Sequence, residues 1–211
     1  MIDELYHETR FTPDPRRRLL WQVLVASEFQ KHIPSEGVVL ELGCGYGEFI
    51  NSVKARRRIA VDCWAGMTAH LDPGVEGIVT DVTRLQAVPD NALDYVFASN
   101  CFEHVSREGL IECLAQLRNK MKPGAQLAIL QPNFKYCVRE YFDDYTHISI
   151  YTDRSLSDLL SANGFRVVRC EPRFLPLTIK SRIPVHPLLI RLYLASPFKP
   201  LGKQMLVCAI R

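Results

Sequence analysis

Apolar residues fall in two rhythms along the chain. Short continuous or alternating runs occupy 38–42, 58–62, 77–80, 93–99, 126–130, 166–171 and 205–210, each bounded by turn-forming residues, and these read as strands. Between several of them apolar side chains recur every three or four positions, the period of a helix with one buried face. Ser106 suits the cap of one such helix, Leu110, Leu114, Leu117 and Met121 form its inner face, and Lys122-Pro123-Gly124 stops it, because proline cannot continue the hydrogen-bond ladder. A later helix is capped by Thr152 or Asp153, carries Leu156, Leu159 and Leu160, and ends at Asn163-Gly164. Near the start, an amphipathic helix over about 14–32 lays Leu19, Leu20, Val23 and Leu24 on the sheet. Strands alternating with helices predict an α/β fold, a parallel sheet with helices on both faces.

Composition narrows the class. At 211 residues and 47% hydrophobic the chain can bury one full core as a single domain. The run Arg16-Arg17-Arg18 ahead of Leu-Leu-Trp-Gln-Val-Leu-Val-Ala does not make a secretory signal, since the apolar stretch is short, contains Gln22 and runs into Glu28. No segment is long and apolar enough to span a bilayer. Seven scattered cysteines without a Cys-x-x-Cys pair argue against a disulfide framework or zinc knuckle and for a reducing cytoplasm.

The candidate chemistry starts at residues 38–47, Val-Val-Leu-Glu-Leu-Gly-Cys-Gly-Tyr-Gly, a strand that breaks into three alternate glycines. Gly43, Gly45 and Gly47 suit positive φ and bring no Cβ to hold a ligand away from the backbone. Asp62 ends the next strand 19 residues beyond Gly43, where a βαβ unit offers a carboxylate to ribose hydroxyls. A dinucleotide site would want a third glycine at 48. Glu48 stands there, and a carboxylate beside a pyrophosphate at a helix N-terminus is electrostatically wrong. Glu41 suits instead a ligand carrying an ammonium or sulfonium, as S-adenosylmethionine does.

Glu-Leu-Gly-Cys-Gly-Tyr-Gly at 41–47, Ala-Val-Asp at 60–62, Thr-Asp-Val at 80–82, Asp-Tyr-Val-Phe-Ala-Ser-Asn-Cys-Phe-Glu-His-Val at 94–105 and Met-Lys-Pro-Gly-Ala at 121–125 follow one another in order. Together they resemble the motif series of class I S-adenosylmethionine-dependent methyltransferases. The resemblance implies a Rossmann-like, doubly wound, seven-stranded and mostly parallel sheet with the last strand antiparallel. It divides the domain over 1–211 into an N-terminal helical segment (1–35), a cofactor-binding core (36–172) containing an acceptor-loop insertion (131–151), and a C-terminal extension with the last strand (173–211). It also implies the cofactor contacts: Gly43, Cys44, Gly45 and Gly47 beneath the methionine portion, Glu41 near its amino group, Asp62 and the adjoining Cys63 at the ribose, Asp81 and the Val82 backbone at the adenine, and Asn100 at the crevice.

The acceptor side is read from the insertion, which holds Tyr136, Tyr141, Phe142, Asp143, Asp144, Tyr145 and His147. Loops at the carboxyl ends of parallel strands surround the site in this architecture. His147 titrates near neutrality and can take the proton of an acceptor hydroxyl. A packed turn histidine is the bland alternative, and His104 reads as a wall residue. Asp143-Asp144 lacks a third ligand, so no metal is expected.

From 172 to 211 the chain has seven basic residues and no acid, against 19 basic and 23 acidic before it. This tail suits an anionic membrane surface or a lipid-linked acceptor through 173–203, in competition with a core-packed crossover at 188–194. Its motif order resembles bacterial methyltransferases that accompany sugar-transfer enzymes, which implies a small-molecule or saccharide hydroxyl as acceptor. Spread basic residues and a net charge of +3 give little steering toward nucleic acid, and no nucleic-acid partner is expected. The competing classes are a cofactor-binding protein without turnover and a nicotinamide-dependent oxidoreductase. Glu48 and the lack of a Tyr-x-x-x-Lys pair disfavour the latter.

Overall fold

A computed structural model describes residues 6, 11–176 and 185–211. Helix α1 (Pro15–Leu24) begins where Asp14 accepts from the Arg16 N–H at 2.9 Å and Pro15 presets the first turn. It continues as a π-helical turn, Val25–Phe29, and a 3-10 turn, Gln30–His32. The helical stretch therefore covers the expected residues, but its last turns are not α.

The strands are β1 (Val38–Leu42), β2 (Arg57–Asp62), β3 (Val75–Val79), β4 (Leu93–Ser99), β5 (Met121–Pro132), β6 (Arg166–Pro176) and β7 (Gly202–Ile210), in the sheet order β3-β2-β1-β4-β5-β7-β6. β1 pairs in parallel with β2 and β4, β2 with β3, and β4 with β5, while β7 runs antiparallel between β5 and β6. The seven-stranded, doubly wound Rossmann-like sheet is thus as expected. Between β1 and β4 the strand order reverses, and a ligand crevice opens at the carboxyl ends of strands at such a switch point.

Side chains of β4 show why both faces are covered. Val96 and Ala98 join one apolar cluster with Leu40, Leu42 and Ile129, whereas Tyr95 and Phe97 join another with Val39 and Leu130. The first face is closed by α3 (Arg107–Lys120) through Leu110, Leu114 and Leu117 and by α5 (Asp153–Ala162) through Leu156 and Leu160. Ser106 caps α3 by accepting from the Gly109 N–H at 3.0 Å. Thr152, rather than Asp153, caps α5 in a reciprocal box with Ser155. The second face carries α1, the short α2 (Glu48–Ser52) and α6 (Pro187–Ala195), with Phe49 stacked on Phe97 at 3.9 Å between ring centroids. A further short helix, α4 (Phe134–Cys137), follows β5.

Several boundaries differ from the sequence reading, among them the start of β7, which lies at Gly202. Met121 belongs to β5, paired with Leu93, instead of to the helix before it, and the ladder is irregular until Gln126. β3 begins at Val75. β6 runs through Pro172 to Pro176, which an edge strand tolerates because the missing proline N–H costs no ladder bond on its open side. Phe97→Ala removes the centre of the second cluster and is expected to cost about 3–5 kcal/mol in urea unfolding.

Candidate active site

Beyond Leu42 the chain turns through three residues of positive φ, Gly43 at 65°, Gly45 at 51° and Gly47 at 68°. Gly43 and Cys44 donate their N–H groups to the Val61 carbonyl at 2.8 and 3.2 Å, which ties the turn to β2. A Cβ on Gly45 would lie 2.9 Å from the Phe11 ring, and one on Gly43 would lie 2.8 Å from Cys101 Sγ. Only glycine meets both the φ values and the space. Cys44 is buried, with Sγ 3.3 Å from Met67 Sδ, and burial pushes its thiol pKa up, so it is no nucleophile. Glu41 is buried as well. Its carboxylate accepts from the Ile50 N–H at 3.0 Å, and burial raises its pKa well above the usual carboxylate range. The bond seen for Glu41 thus closes the turn onto α2.

Asp62, at the end of β2, is the anchor of the loop. One carboxylate oxygen accepts from Gly45 N–H at 2.8 Å and the other from Trp64 N–H at 2.9 Å. Trp64 stacks on His70 with ring centroids 5.7 Å apart and meets Tyr46 edge-on at 5.2 Å. Cys63, between Asp62 and Trp64, is exposed. Asp81 is also exposed and accepts from Thr83 N–H and Oγ1–H, each at 2.8 Å, the local turn its residue type favours. Val82 behind it is buried. Asn100 takes positive φ at 47° just past β4, and its Oδ1 accepts from Gln204 Nε2 of β7 at 2.7 Å. Asp62 and the glycines are brought together by direct bonds, and Asn100 follows β4, the strand beside β1 at the switch point.

Aromatic residues that precede α1 reach this region, a feature the sequence reading missed. Phe11 stacks near Tyr46 at 5.3 Å, and the Arg17 guanidinium lies 4.0 Å over its ring while pairing with Glu48 at 3.3 Å. Tyr6 stacks near Phe11 at 6.4 Å, meets His104 edge-on at 6.0 Å and donates its hydroxyl to Asp144 at 3.2 Å. Tyr6 and Phe11 therefore link the glycine turn to the acceptor loop.

That loop is clipped to the 3-10 turn after β4, Phe102–His104, because Ile148 and Ser149 both donate backbone N–H bonds to the Glu103 carbonyl, at 2.9 and 3.0 Å. His104 Nδ1 faces the carbonyl oxygen of Thr146 at 3.2 Å and its Oγ1 at 2.9 Å, and Thr146 Oγ1 in turn donates to Asp144 at 2.6 Å. His147 Nδ1 donates to the Tyr141 carbonyl at 2.6 Å. A carbonyl only accepts, so both rings hold their proton on Nδ1 when neutral and carry the lone pair on Nε2. Burial, helped by the charge of His147, lowers the His104 pKa to about 4. Burial also pushes the Glu103 carboxyl up to about 8, and neither of its oxygens has a hydrogen-bond partner among the described residues. Gln131 at the end of β5 and the Tyr151 hydroxyl share that condition. Glu103, His104 and His147 offer ligand-type atoms within 4.8 Å of one another. Buried polar groups left unpaired by protein are fitted to a bound donor or to water. Sequence reasoning picked His147 and passed over Glu103, Gln131 and Tyr151. The Glu-His pair at 103–104 was the visible signal.

A left-handed glycine turn beside a strand-ending carboxylate fits an adenosyl ligand with no phosphate, since the first helix residue past the turn is the carboxylate Glu48. The methyltransferase-domain family matches residues 14–169. An uncharacterised protein of Methanocaldococcus jannaschii is 25% identical over 170 residues, covering 80% of this chain and 71% of that one. A methyltransferase of Archaeoglobus fulgidus, described as S-adenosylmethionine-dependent, is similar in structure with a TM-score of 0.71 and 24% identity over 98% of both chains. One from Mesorhizobium loti gives 0.63 and 17% identity over 86% of this chain and 94% of that one.

S-adenosylhomocysteine is expected to raise the Tm of the wild type by mass action. In Gly45→Val that shift should vanish while the unliganded variant still melts cooperatively, and a normal shift would mean the turn does not touch the ligand. Glu103 generates a second expectation. Its folded pKa lies above the unfolded value, so the folded state holds the extra proton and stability falls as pH rises from the ordinary carboxylate range toward about 8. Glu103→Gln should flatten that part of the pH–stability curve relative to wild type, as read by denaturant titration across pH.

Proposed function

The chain belongs to the methyltransferase-domain family and is an S-adenosylmethionine-dependent class I methyltransferase, and from that premise we propose that it methylates a hydroxyl of a small molecule or saccharide. The observation that carries the hydroxyl reading is the acceptor-side set, a His147 imidazole with its lone pair on Nε2 beside a buried Glu103 carboxyl that no group among the described residues satisfies. An oxygen acceptor has to lose a proton as it attacks, so an imidazole held in place through its Nδ1–H has a task there.

Bound S-adenosylmethionine supplies an electrophilic methyl carbon. In this reading the glycine turn with Cys44 lies beneath its methionine portion, Asp62 and Cys63 meet the ribose, and Asp81 with the Val82 backbone meets the adenine. Glu41, which also ties the turn to the Ile50 N–H, lies near the amino group of the methionine portion, and Asn100 lines the crevice between donor and acceptor. Asp62 keeps lone pairs for ribose hydroxyls after its two backbone bonds, and such charge-assisted bonds are worth roughly 1.5–3 kcal/mol each. The chain's main work is alignment and exclusion of water, to which Tyr6 and Phe11 contribute as a cover. With S-adenosylmethionine bound, its methyl group would be the electrophile, and His147 Nε2 would take the proton that the acceptor hydroxyl gives up. Seven unpaired cysteines support a cytoplasmic setting.

His147→Ala is expected to lower turnover on a methyl-accepting extract fraction by about 10²–10⁴-fold, with S-adenosylhomocysteine affinity unchanged. The acid limb of the rate profile should go with it. Near-full turnover in the variant would make His147 a packing residue and leave alignment alone as the mechanism.

A further inference from the structure

Helix α6 is apolar on both sides. Ile190, Tyr193 and Leu194 pack against the core, while Leu188, Leu189 and Leu192 face solvent, Leu192 with 58% of its surface exposed. The turn that follows adds Phe198, 82% exposed, and Leu201, 63% exposed. Leu201 also holds a φ of 60°, an unusual backbone state for a bulky side chain. Five large apolar side chains within one short stretch exceed the scatter of single exposed residues that needs no explanation.

We propose that this face, α6 and the turn from Ser196 to Leu201, seats on the surface of an anionic lipid bilayer. Charge decides between a bilayer and a second copy of the chain. The sequence from 172 to 211 has no acidic residue, and Arg191 stands exposed between Leu189 and Leu192. A two-fold contact of this face with itself would bring like charges together, whereas anionic headgroups match them. The basic residue among aliphatic ones fits an element lying in the interface plane, and among the described residues no helix is long and apolar enough to cross a membrane. Lys199 holds the turn in place by donating to the Tyr193 and Leu194 carbonyls at 2.9 and 2.7 Å. Lys180 and Arg182 of the same basic segment lie outside the described residues.

The position gives the seat a purpose. A groove lined by Tyr136 of the acceptor insertion, Arg173, Leu194, Phe198 and Lys199 runs beside the seat, and the one acid in its lining, Glu171, is paired with Arg169. Three residues past Leu201, Gln204 donates to Asn100 at the crevice. A bilayer under Phe198 therefore lies next to the acceptor side, and an acceptor anchored in lipid reaches the crevice without leaving the membrane. The seat itself goes beyond the methyl-transfer reading and does not depend on it, whereas the purpose given to it rests on that reading.

The test is co-sedimentation of the full chain with phosphatidylglycerol-rich and with pure phosphatidylcholine vesicles, alongside light scattering of the protein alone. Binding to the anionic vesicles that weakens with salt is expected, with a loss of about fivefold in Arg191→Gln and more than about tenfold in Leu192→Ser/Phe198→Ser. An unchanged S-adenosylhomocysteine thermal shift in these variants shows that they fold and separates this outcome from any failure at the active site. No vesicle binding, binding unaffected by the substitutions, or a solution dimer that Phe198→Ser dissolves would each overturn the proposal, the last by assigning the face to a second copy.

Discussion

The Asp62 carboxylate is the constraint from which the cofactor half of the molecule follows. It ends β2 and accepts from Gly45 N–H on one oxygen and Trp64 N–H on the other, so a single buried side chain sets two loops from neighbouring strands against each other. The glycines can take their left-handed φ values only because nothing larger than hydrogen projects from them. They hold those values because Asp62 and the Val61 carbonyl bind the N–H groups of the turn. Charge-assisted bonds of this kind are worth roughly 1.5–3 kcal/mol, enough to fix a turn that has no regular ladder of its own.

The acceptor half is held by different means. The Glu103 carbonyl receives two N–H groups from the insertion, His104 and His147 lock onto loop oxygens, and Tyr6 reaches Asp144 from the other end of the chain. The loop is thereby fixed by backbone bonds while the Glu103 carboxyl, the Gln131 amide and the Tyr151 hydroxyl find no partner among the described residues. For buried polar atoms, that lack of a protein partner among the described residues is the condition that a bound donor or a water relieves.

How much of this the sequence revealed depends on the range of the interactions. The seven strands and the glycine turn were legible because turn chemistry and strand period are local, and β1 matched its expected bounds residue for residue. The end of β6 was misjudged at Pro172, since whether a strand is an edge strand depends on the order of the whole sheet. The Tyr6 to Asp144 bond spans 138 residues and the His104 to Thr146 contact spans 42, separations at which no spacing rule operates. Glu103 was visible in a motif, but its lack of partners is a property of packing. The tail was read as either core or surface, and α6 has one apolar side on each.

The measurement that tests the central claim most directly is incubation of the protein and extract with S-adenosylmethionine labelled in its methyl group, followed by fractionation into lipid, saccharide, protein and nucleic acid. Label in a base-stable methyl ether on a saccharide or small molecule, absent with the Gly45→Val variant, is the predicted result. Label confined to nucleic acid or to protein side chains, or no transfer from a chain that binds S-adenosylhomocysteine normally, would contradict it.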